Sequence, residues 1–153
     1  MIRKLTLLAA AGMLAVSPAL AADKVKIGYV TTITTPAGVI GKDVVDAVNL
    51  ALKDIGGKMA GLPVELFMED DGFKPAIGKQ KTDKLVKQNK VDFVAGYLWS
   101  HVLLASRKSA LDAGKFLISA NAGPSQIAGK LCHENFFSTS WQNDQTPMAM
   151  GEV

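Results

Sequence analysis

The feature that most constrains the fold is a regular alternation between short β-rich runs and amphipathic helical stripes. Strands separated by single helices pair in parallel through right-handed crossovers. We therefore predict an α/β fold with a doubly wound, mostly parallel sheet. The predicted strands are residues 25–30, 63–68, 91–95, 116–118 and 136–139.

Helix boundaries are predicted from apolar spacing together with glycine, proline and hydroxyl residues at the ends. The first helix, 40–55, ends at Gly56 and Gly57, and the second covers 75–89. A third helix has Ser100 as its N-cap and stops at Gly114, and a fourth starts at 145–147 with Thr146 as its cap.

Residues 1–21 have the organisation of a secretory signal peptide. Arg3 and Lys4 precede an apolar run, and Ala19-Leu20-Ala21 supplies small residues for cleavage. A membrane anchor needs about 20 apolar residues, and this run is shorter. We expect cleavage after Ala21 and export of a soluble protein.

The charge balance argues against nucleic-acid binding. The chain has 17 basic and 14 acidic residues, a formal charge of +3, and cleavage would remove two of the basic residues. Six lysines cluster along the second helix, where a solvated face is the favoured interpretation and docking to an acidic partner is the alternative. They are Lys74, Lys79, Lys81, Lys84, Lys87 and Lys90.

Patterns typical of enzymes are weak. No G-x-S-x-G or G-x-G-x-x-G motif occurs, and Ser100 beside His101 would point two neighbouring side chains apart. We expect no metal site at the Cys132-His133-Glu134 run, and the Asp70-Asp71 pair is favoured as a solvated turn over a divalent-cation site. Cys132, the single cysteine, is predicted either to be a small buried thiol or to form half of a disulfide.

The loops at the carboxyl ends of the strands are the predicted binding region, because ligands of open α/β sheets bind there. One loop places Tyr97, Trp99, Ser100 and His101 at the start of a helix, whose free N–H groups suit a carboxylate. A second loop, 119–124, is small enough for its backbone to approach a ligand. Together they predict an organic-acid site without catalytic residues. The alternative is that Tyr97 and Trp99 simply cover the core.

Several of these segments resemble the leucine/isoleucine/valine-binding type of periplasmic solute-binding protein, which serves ATP-driven (ABC) importers. The resemblance covers the chain that follows the predicted signal peptide. It is carried by 25–30, Thr35-Pro36, Gly41, Ile55-Gly56-Gly57, Glu69-Asp70-Asp71, 96–100, Ile118-Ser119 and Ala122.

The resemblance implies two α/β lobes that close on a small ligand. Residues 22–140 would then form the first segment of one lobe, and 141–153 the crossing to the second, with Trp141, Gln142 and Asn143 in the hinge. It further implies a membrane permease as partner, a monomeric full-length protein, and neither cofactor nor enzymatic activity.

The resemblance also assigns ligand-binding roles. Ser100 matches the serine that holds the ligand carboxylate, Ala122 and Gly123 match a contact loop, and Ile40 matches a wall residue. Gly123 stands where amino-acid binders usually have threonine, and rings surround the serine. These departures favour the subgroup that binds lignin-derived aromatic acids over branched-chain amino acids, with a secreted α/β hydrolase or a receptor sensor lobe as further alternatives. The predicted ligand-binding residues are Ile40, Tyr97, Trp99, Ser100, His101, Asn121, Ala122 and Gly123.

Overall fold

A computed structural model describes residues 23–151. The predicted signal peptide, 1–21, therefore lies outside the described residues. Six strands form one sheet in the order β2-β3-β1-β4-β5-β6, in which every neighbouring pair is parallel except β2 with β3. The elements are β1 (Val25–Thr31), α1 (Gly38–Asp54), β2 (Lys58–Met59), β3 (Leu62–Asp70), α2 (Pro75–Lys84), β4 (Phe93–Gly96), α3 (Ser100–Leu111), β5 (Phe116–Ser119), β6 (Phe136–Ser138) and α4 (Gln145–Met150).

The strand order confirms the predicted doubly wound α/β fold. The chain moves from β1 to β3 on one side and then crosses back to β4 on the other, so the direction of winding reverses between β1 and β4. Such a switch point leaves a crevice at the carboxyl ends of the two strands, which is where ligands of open sheets bind.

The face of the sheet that carries α2 and α3 holds the main core. Val30, Val94 and Leu117 are fully buried there, and Leu85 packs so closely over β1 that any side chain at Gly28 would meet it. Alternation along each strand sends these residues to one face and their neighbours to the other, as the period of two requires.

The opposite face is covered more loosely by α1. Val48 and Leu52 of this helix lie over a gap of about 240 Å³ that is lined by apolar side chains, with Ile27, Tyr29 and Ile118 among those from the sheet. Beside it, three phenylalanines lie next to one another on neighbouring strands, with centroid distances of 5.8 Å for a stacked pair and 6.0 Å for a tilted pair. These are Phe93, Phe116 and Phe137.

Most predicted elements are confirmed, with shifts at their ends. The glycine end of α1 is confirmed, because Gly56 and Gly57 have positive φ and donate N–H bonds to Lys53 O and Leu52 O. The region predicted as the second helix is α2 followed by a π-helical turn, Leu85–Asn89.

Three local predictions were wrong. Ser100 is the first residue of α3 and Trp99 occupies the cap position, while Asp144 and not Thr146 precedes α4. β3 runs on through Asp70, where a tight turn was predicted. Within the described residues, no helix combines the length and apolarity needed to cross a membrane.

Candidate ligand-binding site

Loops from four strands meet at one edge of the sheet, because backbone hydrogen bonds join them. Tyr97 N–H donates to Val30 O at 2.7 Å, and Asp71 N–H donates to Thr31 O at 3.0 Å. Ala120 N–H donates to Gly96 O at 2.8 Å. The carboxyl ends of β1, β3, β4 and β5 are thereby held in register around the switch point.

Asp70 fixes the loops that follow β1 and β3. Its carboxylate accepts N–H bonds from Ile33 and Gly72, both at 2.9 Å, and an O–H bond from Thr34. Burial acts to raise the pKa of Asp70, but these bonds outweigh it and hold the pKa below its ordinary value.

Asp71 is fully buried behind that turn. Its Oδ1 accepts bonds from the Thr32 hydroxyl at 2.5 Å and from Phe73 N–H at 2.8 Å. Both aspartates therefore organise loop backbone, and Asp71 is not the solvated turn residue that the sequence predicted. Within residues 23–151, no group of three His, Cys, Asp or Glu side chains could hold a metal ion.

Tyr97 does not offer its ring to the open edge of the sheet. Its side chain is fully buried, and its hydroxyl lies 2.6 Å from Thr82 Oγ1, which itself donates to Gly78 O. Burial raises the pKa of Tyr97. The backbone of Tyr97 has a φ of +63°, so the chain turns sharply as it leaves β4. Tyr97 is therefore a core residue that fixes the direction of its loop, and not the ring that the sequence placed around the ligand.

An aromatic cluster stands at the edge itself. Phe73 meets Trp99 edge to face with ring centroids 4.9 Å apart, and meets His101 in the same way at 4.8 Å. His101 Nε2 lies 3.4 Å from Phe73 O. Two of these residues were predicted, but Phe73 was missed, although its place directly after Asp70-Asp71-Gly72 at a strand end was the available signal.

Ser100 stands at the exposed start of α3. The first backbone bonds of this helix run from Val102 and Leu103 to Trp99 O, so the N–H groups of Ser100 and His101 have no acceptor within the helix. Ser100 Oγ accepts an N–H bond from Asn143 Nδ2 at 2.9 Å. His101 points to the Phe73 carbonyl instead of to Ser100, so the pair lacks the hydrogen bond that an activated serine needs.

The loop after β5 packs beneath this helix start. Asn121 Nδ2 donates to Leu98 O at 2.8 Å, and Ala122, which is buried, donates its N–H to Tyr97 O at 3.0 Å. A side chain on Gly123 would stand 2.1 Å from Trp141 O. Gly123 is therefore required by close backbone packing, which explains the missing threonine without reference to the ligand.

The remaining predicted residues lie around this edge. Ile40 is exposed in the first turn of α1. In the segment 141–143, predicted as a hinge, Trp141 is 62% exposed and Asn143 N–H donates to Gly123 O at 2.7 Å. A neighbouring cavity of about 360 Å³ lies between this segment and β6 and is bordered by Cys132 and His133.

Cys132 and the lysine cluster both lie on the surface. Cys132 is an exposed free thiol, so its interpretation as a buried thiol was wrong, and a disulfide to it stays a prediction. Four of the six clustered lysines form ion pairs within the chain, Lys81 and Lys84 with Glu69 and Lys79 and Lys87 with Asp83, so two carboxylates only partly offset the positive charge. The solvated helix face and the surface for an acidic partner both stay predictions.

Comparison with known proteins gives a consistent result. A family model described as periplasmic binding protein matches residues 24–153. An ABC transporter substrate-binding protein from Sphaerobacter thermophilus is 30% identical with a TM-score of 0.77, over 83% of this chain and 35% of its own. A search of curated proteins found no match.

Two similar structures were solved with ligands. A solute-binding protein of an ABC transporter from R. palustris, in complex with benzoate, is 29% identical with a TM-score of 0.80, over 84% of this chain and 36% of its own. The branched-chain amino acid transporter substrate binding protein LivJ from Streptococcus pneumoniae, in complex with isoleucine, is 26% identical with a TM-score of 0.72, over 78% of this chain and 34% of its own.

This chain thus spans about a third of the length of these solved proteins. The family model nevertheless extends over the sheet and the four α-helices that residues 23–151 form. The fold, the switch point and the family match agree, and the chain belongs to the periplasmic binding protein family.

Proposed function

We propose that this protein is the extracytoplasmic solute-binding component of an ABC importer and captures a small aromatic carboxylic acid of the benzoate or hydroxycinnamate type. The observation that carries the proposal is the aromatic cluster of Phe73, Trp99 and His101 directly beside the open start of α3. A ring and a carboxylate on one small molecule would meet both features together.

The carboxylate is held at the start of α3. The N–H groups of Ser100 and His101 and the Ser100 hydroxyl are hydrogen-bond donors, and the positive end of the helix dipole favours an anion. Bonds from such donors to an ionised carboxylate are stronger than neutral ones, so they orient the ligand as well as bind it.

The apolar body of the ligand packs against Phe73 and Trp99, with Ile40 as a further wall. Edge-to-face contact between aromatic rings contributes about 0.5 to 1.5 kcal/mol beyond the area that is buried. An aromatic acid can make this contact and a branched-chain amino acid cannot. The solved LivJ complex with isoleucine is the comparison that supports the branched-chain alternative.

Capture is completed by a second lobe that closes over the ligand, with 22–140 as part of the first lobe and 141–153 as the crossing between them. Residues 1–21 direct export of the protein and are then removed, which leaves the mature protein in the periplasm. Delivery to a membrane permease then accounts for binding without chemistry, and the full-length protein acts as a monomer.

The first experiment is a thermal-shift screen of the full-length secreted protein against benzoate, hydroxycinnamates, isoleucine and leucine. A ligand that binds the folded state raises the Tm by mass action. A shift with the aromatic acids alone supports the proposal. A shift with isoleucine or leucine alone replaces it with branched-chain amino acid transport, and no shift with any of them favours a hydrolase or a sensor lobe.

The role of Ser100 is tested by Ser100→Ala. Loss of a donor to a charged group in the bound state is expected to weaken binding by about 1 to 3 kcal/mol. Calorimetry with the acid found in the screen measures this change, and Ser109→Ala, farther along the same helix, is the control that leaves affinity unchanged. Equal affinity of the Ser100→Ala protein and the parent would remove Ser100 from the site.

A further inference from the structure

Asn143 joins the segment 141–143 to the helix start through two separate hydrogen bonds. Its side-chain Nδ2 donates to Ser100 Oγ at 2.9 Å, and its backbone N–H donates to Gly123 O at 2.7 Å. One residue therefore ties together the start of α3, the loop after β5 and the segment that follows β6.

The direction of the side-chain bond determines what the serine hydroxyl can do. A hydroxyl has one proton to donate and two lone pairs that accept. Because Asn143 fills a lone pair of Ser100 Oγ, the serine proton points elsewhere. Ser100 is also the first residue of its helix, so no carbonyl one turn earlier in the helix competes for that proton.

We propose that Asn143 is a positioning residue that keeps the Ser100 hydroxyl as a hydrogen-bond donor toward the ligand. A hydrogen-bond donor in this place favours ligands with an ionised carboxylate, which accepts, over ligands whose polar group can only donate. This inference rests on the proposed function and adds to it the residue that sets the polarity of the site.

The backbone of Asn143 is well fixed for this role. The carbonyl of Trp141 lies so close to Gly123 that no side chain fits between them, and Gln142 N–H donates to Gln145 Oε1 at 2.9 Å. Because the tether to Gly123 uses the backbone N–H of Asn143, it survives any substitution at this position except proline. The side-chain bond can therefore be removed alone.

The experiment is a double-mutant cycle on the full-length protein with benzoate as the probe, measured by calorimetry. Asn143→Leu keeps the approximate size of the side chain but cannot donate, and it is expected to weaken binding about five- to tenfold. In the Ser100→Ala background the same substitution is expected to change the affinity less than about twofold, because the residue through which it acts is gone.

Two further proteins control the cycle. Asn143→Asp reverses the polarity, since its carboxylate accepts the serine proton and also repels the ligand, so its loss is expected to exceed that of Asn143→Leu. Gln88→Leu removes an exposed side-chain amide from the π-helical turn after α2 and is expected to bind benzoate like the parent. Circular dichroism identifies any variant that has lost its fold. If Asn143→Leu does not fold, Asn143→Ser replaces it in the cycle.

The outcomes separate the inference from the function it rests on. If the parent binds benzoate and Asn143→Leu costs the same in both backgrounds, or costs nothing, the positioning role is overturned while acid binding stands. If the parent binds none of the acids, the proposed function fails and this inference fails with it. A cost that disappears in the Ser100→Ala background supports the inference.

Discussion

Phe73 has an unfavourable backbone conformation at the edge of the sheet. Its φ of +64° is unfavourable for a bulky side chain, and such strain is of the order of 1 to 3 kcal/mol. The N–H bond to the buried carboxylate of Asp71 holds this conformation and turns the ring toward Trp99 and His101. Strain of this kind is concentrated at sites that bind or react.

Phe73→Leu is therefore expected to change ligand preference. Affinity for benzoate should fall by about 0.5 to 1.5 kcal/mol, since an edge-to-face ring contact is lost, whereas affinity for an aliphatic acid should change little. Calorimetry with benzoate and isoleucine measures the ratio. Phe116→Leu, on the other side of the sheet, is the matched control, and an equal loss of benzoate affinity in both proteins would contradict the role given to Phe73.

Because of Glu69, the stability of the protein is expected to decrease at acid pH. It is largely buried and accepts bonds from Lys81 at 2.8 Å and Lys84 at 2.5 Å. Burial alone would raise the pKa of Glu69, but the two lysines outweigh it and lower the pKa below the ordinary 4.5. The resulting stabilisation is fully present above pH 4.5 and is lost as the pH falls through the lower folded-state pKa.

Glu69→Gln is expected to lower the free energy of unfolding by about 1 kcal/mol at pH 7, with both lysines partly exposed to screening solvent. The difference from the parent should narrow below pH 4.5, where the native glutamate is protonated as well. Urea unfolding between pH 3 and pH 7 measures it. Glu65→Gln breaks a more exposed pair with Lys24 and should have little effect at any pH, and a difference that stays constant with pH would refute the linkage.

At the scale of elements, the contact of α2 with α3 depends on the absence of a side chain at Gly78. A Cβ there would stand 2.4 Å from Val102 Cγ1 and 3.2 Å from Ser106 Oγ. The two helices approach each other at this point, and the buried Tyr97 hydroxyl reaches the same turn of α2 through Thr82. The helix pair therefore supports the loop that carries Trp99 and Ser100.

Gly78→Ala tests packing against helix propensity, because the two predict changes of opposite sign in the free energy of unfolding. Propensity alone favours alanine by about 1 kcal/mol, whereas overpacking a buried contact costs about 1 to 3 kcal/mol. We expect net destabilisation in urea unfolding and partial recovery in Gly78→Ala with Val102→Ala, where room is restored. A more stable Gly78→Ala protein would mean that the helices separate easily.

At the scale of the whole molecule, the two faces of the sheet differ in how completely they are covered. The α2 and α3 face is closed, while the other face keeps an apolar gap under α1 and exposes Phe116 and Phe137 at 42% and 50%. Neighbouring aromatic side chains exposed on an open sheet form an apolar patch of the kind that binds a partner surface. In a longer two-lobed protein, a further segment of the chain is the proposed cover.

A polypeptide of residues 22–153 is therefore expected to bind a hydrophobic fluorescent dye while folded, and to bind less of it after Phe116→Ser with Phe137→Ser. The full-length protein should bind little dye, since the same face would be covered. Fluorescence titration with 8-anilinonaphthalene-1-sulfonate measures all three. Equal dye binding by the short and full-length proteins would show that this face stays open.

The sequence by itself determined the fold class, because the order of strands and helices follows from local periods of about two and 3.6 residues and from the residues that end each element. It also predicted which edge of the sheet binds the ligand, since the carboxyl ends of parallel strands meet there by topology. The tertiary structure decided which side chains reach that edge. Tyr97 and Phe73 are both aromatic residues in loops after strands. Tyr97 is buried with its hydroxyl bonded to Thr82, whereas a bond to Asp71 turns Phe73 outward.

The reason for Gly123 was likewise invisible in the sequence, because the carbonyl that excludes its side chain belongs to Trp141, 18 residues farther along the chain. Contacts between residues far apart in the chain set these positions, and local sequence patterns do not record them.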